Sequence, residues 1–304
     1  MSTLALKGPY WATVRQHRRA AYTLAGAVLL SLLAVLAMLA WDSRSADAAT
    51  ARSALRVGMD YASMGMILLP GLVGVFVAGP LIARELESGT YTLAWTQSVT
   101  PARWLASKLL TAGAMAVLGA LALIGVYRIG YARVEGAHQF HWADRGPYEA
   151  TGTVLVAYVL LAVAVGALLG LLIRRTVVAM AATGGVLGLV LLVLGAVRWD
   201  FLPVQTITGP VGKDAAPLMG PGNSFMMDSG MLARSGERLP EWTCWERTQN
   251  PTDCPADLNI TGQYLDYHPE SHFWLTQLIE TGIVLALAAL AALAAFRVLR
   301  RRHG

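Results

Sequence analysis

Charged residues are scarce in this chain of 304 residues. They make up 14% of the sequence, whereas soluble domains carry about 25%. Hydrophobic residues make up 55%, so the composition excludes an ordinary soluble domain and predicts a membrane protein. The net charge is +5, but the basic residues stand beside apolar runs instead of forming one polar domain. Charge that orients membrane spans explains this placement, and no nucleic-acid partner is expected.

A nucleotide-binding loop is also absent. No segment matches the G-x-x-x-x-G-K-[ST] pattern, whose backbone cradles phosphates. The nearest stretch, Gly209-Pro-Val-Gly-Lys213, has the wrong spacing and lacks the final hydroxyl residue. The apolar runs contain none of the spaced Ser/His, Asp/Asp or multiple-His sets that an intramembrane enzyme needs. We therefore expect no enzymatic activity, and no cofactor or metal bound by this chain.

Six long runs with almost no charge predict the fold. Each is long enough to cross a bilayer, which takes about 20 helical residues, and backbone groups in lipid must be satisfied within a helix. The runs are residues 20–41, 62–83, 109–127, 150–173, 176–197 and 273–296. The sequence therefore predicts an all-α integral membrane protein with six transmembrane helices.

Small residues and prolines predict details of these spans. Glycines four residues apart allow helix backbones to approach closely, and the pairs are Gly166/Gly170 and Gly184/Gly188. Pro70 and Pro80 predict kinks in the second span, because proline cannot donate a helical hydrogen bond.

Residues 1–19 combine apolar, aromatic and basic side chains. This pattern predicts a short amphipathic helix in the membrane interface, with its basic side toward anionic lipid headgroups. A disordered basic tail is the alternative. The run at 20–41 is longer than the apolar region of a signal peptide, about 7–15 residues, so it is expected to remain as a span.

The distribution of Lys and Arg predicts the orientation. Cations are dense in the short segments at the N-terminus, in residues 84–108, at Arg174-Arg175 and in the tail. On the other side they are spread through longer loops that also contain acids. Dense cations mark the cytoplasmic side, so the protein is expected in the plasma membrane with both termini in the cytoplasm. The expected divisions are residues 1–19, the spans of 20–197, an external cap of 198–272, and a sixth span with a basic tail at 273–304.

A polar connecting segment, residues 84–104, separates the second and third runs. It follows Ala83 as Arg-Glu-Leu-Glu-Ser-Gly-Thr, continues from Leu93 as Leu-Ala-Trp-Thr-Gln-Ser-Val-Thr, and ends in Arg103-Trp104. Thr100-Pro101 has the form of a helix start, with a hydroxyl cap before proline. The pattern indicates a short helix, a turn and a second helix.

The connecting segment resembles the first cytoplasmic loop of ABC-2 type transporter permeases. It is most similar to actinobacterial permease subunits with "ARELExGT…LAWTQSVT…RW". Residues 11–18, Trp-Ala-Thr-Val-Arg-Gln-His-Arg, also resemble the "TWRQHR" segment near their N-terminus. Elsewhere the similarity is in the pattern of spans only.

The resemblance implies the transmembrane subunit of an ATP-driven exporter. Two permeases, copies or relatives of each other, would work with two separate ATP-binding subunits that hold ATP and magnesium. The connecting segment would then be a coupling loop that docks onto the ATPase, and a partner would cover its exposed Leu and Trp side chains. The residues implied are Arg84, Glu85, Leu86, Glu87, Gly89, Thr90, Leu93, Trp95 and Arg103. From the residues alone, the two acids could equally be solvated groups that balance nearby arginines.

Other functions remain open at this stage. An ion- or proton-coupled carrier needs buried ionisable groups in its spans, and a membrane sensor or immunity protein would bind a ligand through the external cap. The substrate of an exporter is not identified by the sequence, although apolar helices suit hydrophobic or amphipathic molecules.

Glu280 is the acid that lies well inside a run, about 10 Å below the end of the last span at 1.5 Å per residue. Ionisable groups at such positions are commonly functional, so Glu280 is a candidate for translocation or gating. The alternative is a partly hydrated carboxylate near the outer surface, paired with an arginine from a loop. Glu149, at the edge of the fourth run, is expected at the membrane interface.

The two cysteines, Cys244 and Cys254, lie in the segment expected outside. An oxidising space favours a disulfide between them. Free thiols are an alternative, as is a zinc site with His268 and His272, although the cysteines are too far apart for the usual zinc knuckle. A pair at His138 and His141 is a weaker metal candidate.

The rest of residues 198–272 is polar and rich in proline. A segment of this length needs structure of its own or is disordered. We expect a small, loop-rich cap, with a core from Trp199, Phe201, Phe225, Trp242 and Trp245.

The predicted orientation can be tested with a membrane-impermeant thiol reagent on single-cysteine variants that lack Cys244 and Cys254. Cysteines placed in residues 198–272 should be labelled in intact cells, and a cysteine at Trp95 should react only after the membrane is opened. Labelling of position 95 from outside would overturn the orientation.

Overall fold

The computed structural model describes residues 18–92, 100–135 and 140–303. The helices are α1 (Arg18–Arg44), α2 (Ala48–Leu72), α3 (Gly79–Glu87), α4 (Pro101–Tyr131), α5 (Arg145–Thr151), α6 (Val154–Ile173), α7 (Thr176–Val197), α8 (Trp245–Thr248) and α9 (His272–His303). A π-helical turn, Val73–Ala78, joins α2 to α3, and short 3-10 turns lie at Arg198–Asp200, Glu241–Thr243 and Ala256–Leu258. The strands are β1 (Gln205–Gly209), β2 (Phe225–Ala233), β3 (Arg238–Pro240) and β4 (Ile260–His268). The interfacial helix expected at 1–19 lies almost wholly outside the described residues.

Six helical segments of the described chain are long and apolar enough to cross a membrane, which confirms the predicted spans. The second is longer than its apolar run, since it extends from Ala48 to Glu87. Its start is fixed by Asp47, whose carboxylate accepts a hydrogen bond from the N–H of Thr50 at 3.1 Å. The fourth span begins at Val154 instead of residue 150, because the helix breaks at Gly152 between α5 and α6.

The chain forms two compact units. The helical unit comprises residues up to 140, 144–198 and 277 onward, and the sheet unit comprises 141–143 and 199–276. Two apolar clusters form the core of the helical unit. One gathers around Leu55, Met59 and Leu155, and the other around Ile82 and Leu105.

Close helix contacts depend on glycine, as the sequence predicts. A Cβ on Gly166 would lie 2.6 Å from the backbone carbon of Ala78, and one on Gly170 would lie 3.0 Å from the backbone nitrogen of Ala83. The first distance is too short for any side chain, so α6 approaches the π-turn and α3 only because these positions are glycine. The second predicted pair is half correct. A Cβ on Gly184 would lie 2.8 Å from Cγ2 of Val75, but a Cβ on Gly188 would meet open space.

The π-turn lies between the two prolines predicted to disturb the second span. Pro70 has no N–H, and the N–H of Val73 is shared between the carbonyls of Leu69 and Pro70. Pro80 stands in the first turn of α3, where a missing donor is tolerated. The helix therefore passes both prolines by widening into a π-turn.

The sheet unit corrects the all-α expectation. Its four strands are all antiparallel and lie in the order β1-β4-β2-β3. Lipid imposes helices on the apolar runs, but in this polar segment backbone groups can pair between strands. Tyr264, Leu265 and Tyr267 favour the pleated backbone of β4. The expected small cap is therefore a sheet with ordered loops.

Buried polar side chains hold the sheet unit together. Gln263 accepts a hydrogen bond from the N–H of Leu218 and donates two to the carbonyls of Pro210 and Ala216, which fixes the loop after β1. Burial raises the pKa of Asp266, but hydrogen bonds from the Thr206 hydroxyl and from Arg238 outweigh it, so that the pKa lies below its usual range.

The aromatic core of the sheet unit differs from the prediction. Trp199 and Phe225 do pack together, with ring centroids 5.0 Å apart, and both contact Trp142. Phe201 is half-buried. The prediction is wrong for Trp242 and Trp245, which are 60% and 52% exposed.

The predicted disulfide between Cys244 and Cys254 is present, with the Cα atoms 4.7 Å apart. The zinc alternative fails, because both cysteines that it needs as ligands are joined in this disulfide. His268 instead lies with Nδ1 3.0 Å from Nδ1 of His272 and Nε2 3.0 Å from the carbonyl oxygen of Trp199. The described residues contain no group of His, Cys, Asp or Glu that could hold a metal ion. His138 lies outside the described residues.

We expect that replacing both cysteines by serine lowers the free energy of unfolding of the sheet unit by about 2–3 kcal/mol, because the open chain regains the entropy of a short loop. Protease digestion of the purified chain should then cut near residues 244–254 faster. Mass mapping without reductant should find the linked peptides in the parent protein. Two alkylatable thiols in freshly isolated protein would contradict the disulfide.

Candidate functional site

The first half of the connecting segment is the end of α3 and the turn after it. The helix ends with the N–H of Ser88 bonded to the carbonyl of Arg84 at 3.0 Å. Gly89 follows with φ of +72°, a left-handed conformation that glycine adopts without strain. The Thr92 hydroxyl then donates to the Gly89 carbonyl at 2.8 Å. The sequence pattern Ser-Gly-Thr thus produces an ordered helix end.

Glu85 joins α3 to α4. Its carboxylate accepts hydrogen bonds from Nζ of Lys108 at 2.6 Å and from Nε1 of Trp104 at 3.1 Å. Lys108 is 3% exposed, and an ammonium group buried to that extent needs a charged partner. Glu85 is that partner.

Glu87 joins α3 to α7. Its Oε2 accepts hydrogen bonds from the backbone N–H of Thr176 at 2.8 Å and from the Thr176 hydroxyl at 2.5 Å. Thr176 is the first residue of α7, where the first N–H groups of a helix have no partner of their own. A carboxylate at this helix end is also favoured by the helix dipole.

The predicted docking residues therefore divide into two groups. Glu85 and Glu87 are bonded within the chain, and Leu86 packs against the apolar cluster around Ile82. Exposed side chains are found at Arg84, Thr90 and Arg103, and Glu87 is exposed as well despite its bonds to Thr176. Leu93 and Trp95 lie outside the described residues, so their docking role stays a prediction.

Sequence reasoning missed Trp104, Lys108 and Thr176 as partners of the acids. One signal was available for the first two, because residues four apart share a helix face. Nothing in the sequence indicates that this face lies opposite Glu85.

A second polar site is buried within the helical unit. Glu280 of α9 accepts hydrogen bonds from Arg198, with Nε at 2.7 Å and Nη2 at 3.0 Å. The hydroxyls of Tyr158 and Tyr148 donate to the same carboxylate at 2.7 and 3.2 Å. The arginine partner expected in the alternative for Glu280 is therefore present, although Arg198 directly follows α7, but the expected partial hydration is not, because Glu280 is fully buried.

Glu149 completes this group, which we term the arginine cluster: Tyr148, Glu149, Tyr158, Arg198 and Glu280. Glu149 is fully buried among the helices, and its expected place at the level of the membrane interface stays a prediction. Its Oε1 accepts from Nη2 of Arg198 at 3.1 Å, while the guanidinium lies over the Tyr148 ring at 3.9 Å. The cluster binds α5, α6, α7 and α9 together.

Gln277 closes the break between α5 and α6. Its Oε1 accepts from the N–H of Val154 at 3.1 Å and its Nε2 donates to the Tyr148 carbonyl at 2.7 Å. Arg128 of α4 donates to the carbonyl of Thr151 in the same break, with Nε at 3.0 Å. Side chains thus replace the hydrogen bonds that an unbroken helix would make.

Two apolar cavities lie between α1, α2 and α4. They have volumes of about 360 and 460 Å³ and share Ala27 and Leu69 in their walls. The first also extends past Phe76 of the π-turn. Carbon atoms form most of both linings, so these spaces suit apolar groups.

Residues 20–198 match the model of a protein family described as ABC-2 membrane transporter related. The match covers more than half of the chain and includes the first five spans, the connecting segment, Glu149 and Arg198. No curated protein matches the chain. The family match agrees with the resemblance carried by the connecting segment. The chain therefore belongs to the ABC-2 membrane transporter related family and is a multi-pass membrane protein with six candidate spans.

Proposed function

We propose that this chain is the permease subunit of an ATP-driven exporter, and that a separate ATP-binding subunit hydrolyses ATP. The observation that carries the proposal is the connecting segment. It has the family's sequence pattern, lies between two spans, and is bonded to two other helices through Glu85 and Glu87. Family membership supports the transporter role.

The contacts suggest how a force on this segment reaches the spans. A displacement of α3 would act on α4 through the pair of Glu85 with Lys108, and on α7 through the hydrogen bonds of Glu87 to Thr176. Because α3 packs tightly against α6 at Gly170, α3 has little freedom to move without α6. ATP binding in the partner can drive transport only if it favours one arrangement of the helices over another.

The apolar cavities support a hydrophobic or amphipathic substrate. Six spans from one chain form a thin pathway, so a second copy or a related permease is proposed to complete it. The cation pattern supports a place in the plasma membrane with both termini in the cytoplasm.

The alternatives are a secondary carrier driven by ions or protons, and a sensor or immunity protein. Such a carrier needs an ionisable group in its spans that exchanges the ion, but Glu280, the candidate acid of the last span, already accepts four hydrogen bonds. Export from proteoliposomes separates the functions. An exporter requires the ATP-binding subunit and ATP, whereas a carrier transports under an ion gradient alone and a sensor does not transport.

The docking proposal predicts that Trp95→Ala weakens the complex with the ATP-binding subunit by about 2 kcal/mol or more, the usual cost of truncating a buried aromatic anchor. Co-purification of the ATPase measures this loss. Glu237→Lys, an exposed change in the sheet unit, is the control and should leave both co-purification and ATP hydrolysis unchanged. A Trp95→Ala complex that assembles, hydrolyses ATP and exports like the parent would contradict docking at this site.

The pair of Glu85 with Lys108 predicts a compensation experiment. Glu85→Gln leaves the buried ammonium of Lys108 without its carboxylate, at a cost of about 2–3 kcal/mol for a partly exposed pair. The single variant should be less stable and should couple ATP hydrolysis to export less well.

The double variant Glu85→Gln/Lys108→Met strands no charge, so it should regain stability in detergent. If both variants are as stable and as active as the parent, the pair does not hold α3 against α4. Failure of the double variant to export despite regained stability would show that charge itself is needed.

A further inference from the structure

The arginine cluster contains an imbalance of buried charge. Glu149 and Glu280 are both completely buried, and Arg198 is 2% exposed. Arg145 also reaches Oε1 of Glu149, but at 3.4 Å and with a side chain that is 43% exposed. Within the described chain, two buried carboxylates therefore share one buried guanidinium.

The two carboxylates differ in their hydrogen bonds. Glu280 accepts four, from both contacting nitrogens of Arg198 and from two tyrosine hydroxyls. These bonds satisfy both oxygens of the Glu280 carboxylate. Glu149 accepts hydrogen bonds through Oε1 only, and its buried Oε2 has no hydrogen-bond partner among the described residues.

The surroundings of Glu149 supply no further charge to balance it. The charged groups that act on it are Arg145 of its own helix, Arg198 and Glu280. On α4, Arg128 is directed to the carbonyl of Thr151. On α2, Ser63 meets α5 at Gly146, and the nearby Asp60 is exposed. The neighbour from α6 is Tyr158, which donates to Glu280.

We propose that Glu149 is a proton-binding site: its Oε2 carries a proton in the packed arrangement, and loss of that proton loosens the contacts of α5 with Arg198 and Glu280. The neutral acid leaves Arg198 and Glu280 as a balanced pair, while Oε1 still accepts from the guanidinium. Deprotonation places a second negative charge in the same buried space, which favours an arrangement in which water reaches the break between α5 and α6. This assignment does not depend on the ATP-driven function.

The sign of the pH dependence follows by linkage. Burial raises the pKa of Glu149 in the packed arrangement, and the nearby arginines offset this only in part. A hydrated Glu149 returns to its ordinary pKa. The proton therefore stabilises the packed arrangement fully below the ordinary pKa, and this stabilisation is lost as the pH rises toward the raised pKa.

Infrared spectroscopy of the full chain in lipid nanodiscs tests protonation directly. The parent at neutral pH should show the carbonyl stretch of a protonated carboxylic acid, which should fade as the pH is raised. Glu149→Gln should remove this band, and Glu149→Asp should shift it. Glu135→Gln, at an exposed acid, is the control and should retain it. A parent spectrum without the band, or a band unchanged in Glu149→Gln, would overturn the proposal.

Alkylation of a cysteine at Ala157, which is 1% exposed, tests the loosening. The amide of Glu149→Gln mimics the protonated acid at every pH. The same cysteine in a Glu149→Gln chain therefore shows how the alkylation rate changes with pH because of the thiol alone. The alkylation rate in the chain that keeps Glu149, divided by the rate in the Glu149→Gln chain, should rise with pH. The rise is at most about tenfold per pH unit, the limit for one proton. A ratio that stays flat, or that falls as the pH rises, would show that Glu149 does not control this region.

Discussion

The close approach of α6 to the π-turn and α3 is the contact on which the helical unit depends. At Gly166 the distance to the backbone of Ala78 leaves no room for a side chain. In lipid, helices gain little from burying apolar surface, so association relies on close packing between small residues. Because the end of α3 is fixed in this way, Glu85 and Glu87 come within hydrogen-bond distance of α4 and α7. A larger residue at position 166 would move α3 and separate both acids from their partners.

Buried charge imposes the second constraint. Lys108 and Arg198 are cations with almost no exposed surface, and each needs a carboxylate from another helix. Each pair joins two different helical elements, consecutive ones for Glu85 and Lys108 and ones 82 residues apart for Arg198 and Glu280, so it restricts how the helices can be arranged. Such pairs contribute little net stability compared with apolar contacts, so their main effect is to favour one arrangement of the helices.

Features that follow from local physical rules could be predicted from the sequence. The lengths of the apolar runs predict the six spans, because the bilayer sets the minimum length of a helix that crosses it. The spacing of Gly166 and Gly170 predicts a close contact, and the two cysteines of a polar segment predict a disulfide. Each of these inferences needs only a residue type and its immediate environment.

Features that require a partner from another element could not be predicted. The sequence does not indicate that Glu87 meets the first N–H of α7 or that Glu149 faces Arg198, because hydrophobic periodicity does not identify the opposing helix. The sheet was missed for a related reason, since its backbone partners are up to 62 residues apart, as in the pair of Gln205 with Tyr267. Trp242 and Trp245 were assigned to a core by residue type alone, and the sheet unit instead uses Trp142, which lies far away in sequence.

These contacts change the meaning of the family-like pattern in the connecting segment. Both oxygens of Glu85 are bonded within the chain, so it would have to leave Lys108 in order to recognise a partner, whereas Glu87 is exposed and bonds Thr176 through Oε2 alone. Breaking the contact with Lys108 would strand a buried cation, so binding would have to supply that energy as well. It costs less for a partner to contact side chains that are already exposed, such as Arg84 and Arg103, and to leave the acids in place. In that arrangement Glu85 and Glu87 keep their bonds to α4 and α7 and link the connecting segment to both helices.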